Sequence, residues 1–246
     1  MGCRFSLASF VDSAYTGSVR NHEEDSALNF TGVFFSITEI IGTIAFAVSG
    51  ALLAIERRLD LFGVLFLSVI TALGGGVIRD LIIGSIPPWA FTNPEYLALA
   101  LFSGLATFVA VYIFRARFSV LKERLSQINN YFDALGLAAF SMVGAEVSLA
   151  SFPGNWVLCL FLGMTTGIGG GILRDIMSRE VPYVFKKHIY GVASLAGCGL
   201  YWVIWTLTRR NTLAALLGMA VVITIRVLAT HFHWNLPRIL LSESKE

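Results

Sequence analysis

One seven-residue phrase stands twice in this chain, each time at the end of a long apolar run. Gly74-Gly75-Gly76-Val77-Ile78-Arg79-Asp80 returns 95 residues later as Gly169-Gly170-Gly171-Ile172-Leu173-Arg174-Asp175. The surrounding residues keep the register. Ile41-Gly42 matches Leu135-Gly136, Phe46 matches Phe140, Gly50-Ala51 matches Gly144-Ala145, and Glu39 matches Asp133, all at an offset of 94. Pro88 and Phe91 match Pro182 and Phe185 at the same offset. The chain is an internal duplication, and whatever the phrase does, it does at matching points of two halves.

The medium of the fold follows from the apolar runs. Hydrophobic residues make up 56% of the 246 positions and charged ones only 14%, and the mean hydropathy is +0.72. A soluble domain of this size needs a far more charged surface. Seven runs of about 20 residues, each long enough for a ~30 Å hydrocarbon core, fall at Phe34–Ile55, Leu59–Ile78, Tyr96–Phe114, Tyr131–Phe152, Trp156–Leu173, His188–Leu207 and Leu213–Ala229. They are continuously apolar rather than alternating, which argues against a β-barrel. The sequence predicts an all-α polytopic membrane protein with seven transmembrane helices.

Each repeat holds three spans. Because three is odd, the second copy crosses the membrane in the opposite sense, giving an inverted-topology repeat about an axis in the membrane plane. The expected division is a polar N-terminal extension (1–32), a first three-helix repeat (33–116), a cytoplasmic linker (117–130), a second, inverted repeat (131–208), a seventh helix (209–230) and a tail (231–246). Outside the spans, eleven Lys and Arg lie with the odd-to-even connections and the C-terminus, against four on the N-terminal side. The positive-inside bias then puts the C-terminus in the cytoplasm and the N-terminus outside. That keeps Gly2, in a formal myristoylation pattern, away from cytoplasmic acylation.

Several function classes drop out. A net charge of +2 implies no nucleic-acid partner. Cys3, Cys159 and Cys198 are scattered without metal-ligand spacing and read as packing residues. The glycine triads lack the Lys-Ser/Thr of a phosphate loop. Ser141, Ser148 and Ser151 have no His-Asp partners in a catalytic pattern. The reading is therefore not an enzyme, with no cofactor.

The motif chemistry is that of an ion pathway. Three consecutive glycines weaken a helix by about 1 kcal/mol each relative to alanine. The sequence thus predicts that spans 2 and 5 break at Gly74, Gly75 and Gly76 and at Gly169, Gly170 and Gly171. Carbonyls freed there, those of Gly74, Gly75, Gly169 and Gly170, would offer ligands to K⁺. The glycines would also let spans 2 and 5 cross closely. Asp80 and Asp175 would attract cations or neutralise Arg79 and Arg174. The arginines would pair with aspartates, cap freed carbonyls or form a positive gate. Cross-repeat pairs, Arg79 with Asp175 or Arg174 with Asp80, require breaks that bring the motifs together.

Glu39, Asp133, Thr71 and Thr166 are secondary candidates. Asp133 reads as interfacial. Glu39 reads equally as interfacial or as an internal cation site, and Glu146 as a buried carboxylate. Arg226 in span 7 has no repeat counterpart and either pairs with an internal carboxylate or faces the interface. Gly42, Gly50, Gly104, Gly136, Gly144, Gly163 and Gly218 read as packing notches. His188, His231 and His233 read as interfacial, and Trp202, Trp205 and Trp234 as belt aromatics.

With its doubled GGGxxRD motif, three-plus-three inverted spans and extra seventh span, the chain resembles the prokaryotic branch of the trimeric intracellular cation (TRIC) channel family, known also by its "glycine transporter" domains. The resemblance covers roughly residues 33–230. It implies a homotrimer with one pore per protomer, lined by spans 2 and 5 kinked at the glycines. It also implies conduction of K⁺ and, somewhat less, Na⁺ across a prokaryotic plasma membrane, in contact with its lipid, with the N-terminus outside. The polar extension departs from the family pattern, and the short tail lacks the Lys-rich run of animal members. A competing reading is a secondary transporter for a zwitterion such as glycine, with an Arg on its carboxylate and an Asp on its ammonium. A third is a membrane protein with a purely structural role. The channel is the reading adopted.

Overall fold

The computed structural model describes residues 22–114, 122–186 and 189–232. Residues 1–21, His188, His233, Trp234 and the rest of the tail lie outside these. The described helices are α1 (His22–Glu56), α2 (Leu61–Ile82), α3 (Trp89–Thr92), α4 (Pro94–Ile113), α5 (Lys122–Ser151), α6 (Trp156–Met177), α7 (Tyr183–Lys186), α8 (Ile189–Thr208) and α9 (Asn211–His231). Seven are long and apolar enough to cross a membrane: Phe30–Glu56, Leu61–Ile82, Pro94–Ile113, Gln127–Ser151, Trp156–Met177, Ile189–Thr208 and Asn211–His231. All seven expected spans are present. The one-turn helices α3 and α7, too short to leave a hydropathy signal, were not expected.

Local signals repeat with the sequence. Asp60 caps α2 by accepting from the Gly63 amide at 2.8 Å, and Asn155 caps α6 by accepting from Leu158 at 3.0 Å. Each cap satisfies an orphan first-turn amide. Beyond α2 and α6 the chain turns back through the left-handed region, at Gly84 (φ 75°) in the first repeat and Arg179 (φ 59°) in the second. The next amides, Ser85 and Glu180, close onto the carbonyls of Asp80 and Asp175, both at 2.8 Å.

α1, α2 and α4 form one three-helix unit and α5, α6 and α8 the other. They join through α1 against α5 and α2 against α6, and α9 packs on α5 and α8. The spans of α5 and α1 are the most enclosed, 72% and 61% buried, while that of α4 is 17% buried and so the most peripheral. The α1–α5 contact is reciprocal. The Phe46 ring fills the notch at Gly136 and the Phe140 ring the notch at Gly42, with the two rings 5.3 Å apart. Gly50 meets the Leu67 carbonyl and Gly144 the Leu162 carbonyl, where a methyl would stand 2.6 and 2.7 Å from the oxygen. The remaining expected notches hold too: Gly104 faces Ser68, Gly163 faces Cys198, and Gly218 faces Met142.

The connections confirm the inversion. Arg57, between α1 and α2, pairs with Glu180, between α6 and α7. Thr31, near the start of α1, lies 3.5 Å from Thr212 at the start of α9. The α1–α2 and α6–α7 turns therefore share one face, and the start of α1 shares the other with the α8–α9 connection.

The predicted breaks are corrected. α2 and α6 run as uninterrupted α-helices through both triads. The carbonyls of Gly74, Gly75, Gly169 and Gly170 are inside helical turns and are not freed as K⁺ ligands. Breaking either helix at membrane depth would strand polar backbone groups. The glycines instead serve the crossing. A methyl at Gly75 would overlap the Thr166 carbonyl oxygen, and one at Gly170 the Thr71 carbonyl oxygen. The local propensity cost is offset by the contact that only glycine permits.

Candidate functional site

Each Arg-Asp pair lies about six residues beyond the α2–α6 crossing on its own helix. The helices run oppositely, so a ~1.5 Å rise per residue puts the two pairs roughly 18 Å apart along the bundle. Cross-repeat pairing is thereby excluded, and the structure shows the alternative. Arg79 Nε donates to Asp80 Oδ1 at 2.8 Å, and Arg174 Nε to Asp175 Oδ1 at 2.9 Å. Adjacent helical side chains diverge, but each long arginine folds back to meet its neighbour. The third glycine of each triad lies beside its arginine: a methyl on Gly76 would meet Arg79 Nη2 at an ordinary contact distance of 3.9 Å, and one on Gly171 would crowd the Tyr190 hydroxyl at 3.0 Å.

The second oxygen of each aspartate holds a short helix. Asp80 Oδ2 accepts from the Trp89 amide that opens α3, and Asp175 Oδ2 from the Tyr183 amide that opens α7, both at 2.8 Å. One carboxylate thus ties the arginine to the connection that follows, a charge-assisted arrangement.

An acid and a tyrosine complete each cluster. Arg79 Nη1 lies 3.8 Å from Glu39 Oε1, and Tyr96 donates to Glu39 Oε2 at 3.4 Å. In the second repeat Arg174 Nη1 donates to Asp133 Oδ1 at 2.7 Å, and Tyr190 to the same oxygen at 3.2 Å. The interfacial reading of Asp133 is corrected: its side chain is fully buried, where its charge is offset by arginine. Glu39 is an internal residue as well. Tyr96 and Tyr190 were missed, although they are another pair at the 94-residue offset and could have been found by extending the alignment. Thr71 and Thr166 are not in the clusters. Their hydroxyls donate to the carbonyls of Leu67 and Leu162, each at 2.6 Å. Glu146 stands half-buried in α5, near enough to the first cluster to feel the charges of Glu39 and Arg79.

The clusters differ in what surrounds them. Glu39 is 19% exposed and lines a cavity of about 20 Å³ together with Thr43, Gly76, Arg79, Asp80 and Tyr96. That is room for about one water. The second cluster is sealed by two additions. Ser49 of α1 accepts from Arg174 Nη1 and donates to Asn129. Arg226 of α9 sets its Nη2 3.6 Å from Asp133 Oδ2, with its guanidinium 4.6 Å from the Tyr190 ring centroid. Of the two readings of Arg226, pairing with an internal carboxylate is the observed one. In the adjoining connection, burial foremost pushes the Tyr183 phenol above its ordinary range, and its ring lies 5.5 Å from the Arg174 guanidinium. In formal charges, Glu39, Arg79 and Asp80 sum to −1, whereas Asp133, Arg174, Asp175 and Arg226 sum to zero.

Comparison with known proteins is consistent across sequence and structure. A family model described as "Glycine transporter" matches twice, over residues 36–112 and 130–206, one match to each three-helix unit. The UPF0126 inner membrane protein YadS of Escherichia coli K12 is 35% identical over 207 residues, covering 84% of this chain and 96% of that protein. A structure solved in work on conductance through TRIC cation channels is 34% identical, with a TM-score of 0.73, covering 85% of this chain and 99% of its own. The TRIC trimeric intracellular cation channel orthologue from Rhodobacter sphaeroides is 29% identical at the same TM-score, covering 81% and 98%.

Proposed function

This chain belongs to the glycine transporter family, whose solved relatives are TRIC channels, and from that premise we propose that it is a monovalent-cation channel. The observation that carries the reading is the acidic first cluster: Glu39 and Asp80 line a cavity with a single arginine between them. A net negative charge in a low-dielectric site concentrates cations and repels anions. K⁺ is the permeant ion we assign, with Na⁺ passing less readily, and the assembly is a homotrimer with a pore in each protomer. The pathway follows α2 and α6 past Gly74, Gly75, Gly76, Arg79 and Asp80 and past Gly169, Gly170, Gly171, Arg174 and Asp175. In that path the arginines, tied to their aspartates, limit the flux. The chain then works as a multi-pass protein of a prokaryotic inner membrane, with its N-terminus outside and its C-terminus cytoplasmic.

The glycine-carrier alternative is less well supported. Arg79 and Asp80 already satisfy each other, and a cavity of about 20 Å³ is water-sized, too small for an amino acid. The test is planar-bilayer recording of the purified protein in asymmetric KCl and then NaCl, alongside glycine uptake into liposomes. Discrete cation-selective openings support the channel. Saturable glycine uptake without unitary currents replaces it with the carrier.

A further inference from the structure

We infer that Arg226, on α9, the one membrane-spanning helix outside the repeat among the described residues, is a tethered cation that keeps the second cluster shut, an inference resting on the cation-pathway reading. The comparison between repeats carries it. In the first repeat the space beside the acid and the tyrosine, Glu39 and Tyr96, is a cavity. At the matching acid and tyrosine, Asp133 and Tyr190, the Arg226 guanidinium stands instead. It is 2% exposed. The fixed charge supplied by α9 occupies the position a permeant cation would take and brings the cluster from −1 to zero.

The contact is built to be released rather than to weld. At 3.6 Å the Arg226 Nη2–Asp133 Oδ2 pair is longer than a hydrogen bond. Arg226 Nε and Nη2, Arg174 Nη2 and Asp133 Oδ2 are all buried without hydrogen-bond partners. Arg174, by contrast, is bonded to Asp133, Asp175 and Ser49. Arg226 is therefore held by a long ion pair and a ring contact rather than by a hydrogen bond to Asp133, whose Oδ2 is the acceptor a cation would engage as the guanidinium withdraws. Withdrawal leaves Asp133 and Asp175 against Arg174 alone, the composition of the first cluster.

The experiment uses full-length protein in lipid vesicles. Its three cysteines are replaced, and Ser49→Cys, beside Arg174, reports access of a cationic methanethiosulfonate reagent. With Arg226 in place the reporter stays protected. Arg226→Gln raises its labelling rate roughly tenfold, the effect of one net charge across about 10 Å at an effective dielectric constant near 20, and raises K⁺ current in bilayers. Arg226→Lys and the neutral pair Asp133→Asn/Arg226→Gln remain protected. A folded Arg226→Gln protein with unchanged labelling overturns the inference. If that variant does not fold, Arg226→His makes the same test, its labelling rate divided at each pH by that of the Arg226 parent because thiolate content itself rises with pH: protected when acidic buffer charges the imidazole and labelled when it is neutral. A ratio that ignores pH is equally fatal. The labelling needs no current. Charge-dependent labelling in a protein silent in bilayers removes the channel reading and leaves the lock standing.

Discussion

The two ion clusters share one plan and differ in enclosure. Each has an arginine held by the aspartate beside it, an aspartate whose other oxygen caps a one-turn helix, and an acid and a tyrosine from neighbouring helices. The first opens onto a cavity and carries a formal −1; the second is fully enclosed, bonded to Ser49 and balanced by Arg226. A duplicated backbone with unequal surroundings encloses one site fully and leaves the other lining a cavity. Inverted repeats place their sites on opposite sides of the crossing, so the asymmetry is also one between the two ends of the bundle.

The comparison breaks most visibly at the arginines. Arg174→Gln strands two buried carboxylates, Asp133 and Asp175, beside Arg226 alone and is expected to cost about 3–5 kcal/mol. Arg79→Gln, beside a cavity that admits water, is expected to cost roughly 1–2 kcal/mol. Thermal unfolding midpoints in one detergent read the difference, and equal losses would remove the distinction between a sealed and an open cluster. The crossing tests the opposite feature, where the repeats are alike. Gly75→Ala and Gly170→Ala each drive a methyl into a carbonyl of the facing helix and should each cost about 1–3 kcal/mol. A large disparity between them would mean the crossing is not symmetric. The smallest effect lies at the turn after each motif. Arg179 holds a left-handed conformation (φ 59°) where the first repeat has Gly84. Arg179→Gly is expected to stabilise by about 0.5–1 kcal/mol, read as a small rise in the same midpoint.

The inverted repeat was legible because its marks are local and ordered: triads, Arg-Asp pairs, Phe46 and Phe140, Glu39 and Asp133. Continuous α2 and α6 were not legible. Propensity reports the cost of each glycine to its own helix and is blind to the helix facing it, here the carbonyls of Thr166 and Thr71. Arg79–Asp80 bonding stood only as one of several alternatives, because helical angle describes where Cβ points, not how far a guanidinium folds back. Burial of Asp133 was hidden because its charge is offset chiefly by Arg174, a partner on another helix that the repeat offset does not reveal.

The most direct measurement of the central claim, that the net negative first cluster draws cations into the chain, is the reversal potential across a KCl gradient for the wild-type protein and Glu39→Gln. The account predicts that the wild type reverses toward the K⁺ equilibrium potential. With Glu39→Gln the first cluster becomes neutral, so reversal moves toward zero and K⁺ current falls, while the unfolding midpoint barely changes. An unchanged reversal potential and current in Glu39→Gln would contradict it and place the selective charge elsewhere in the bundle.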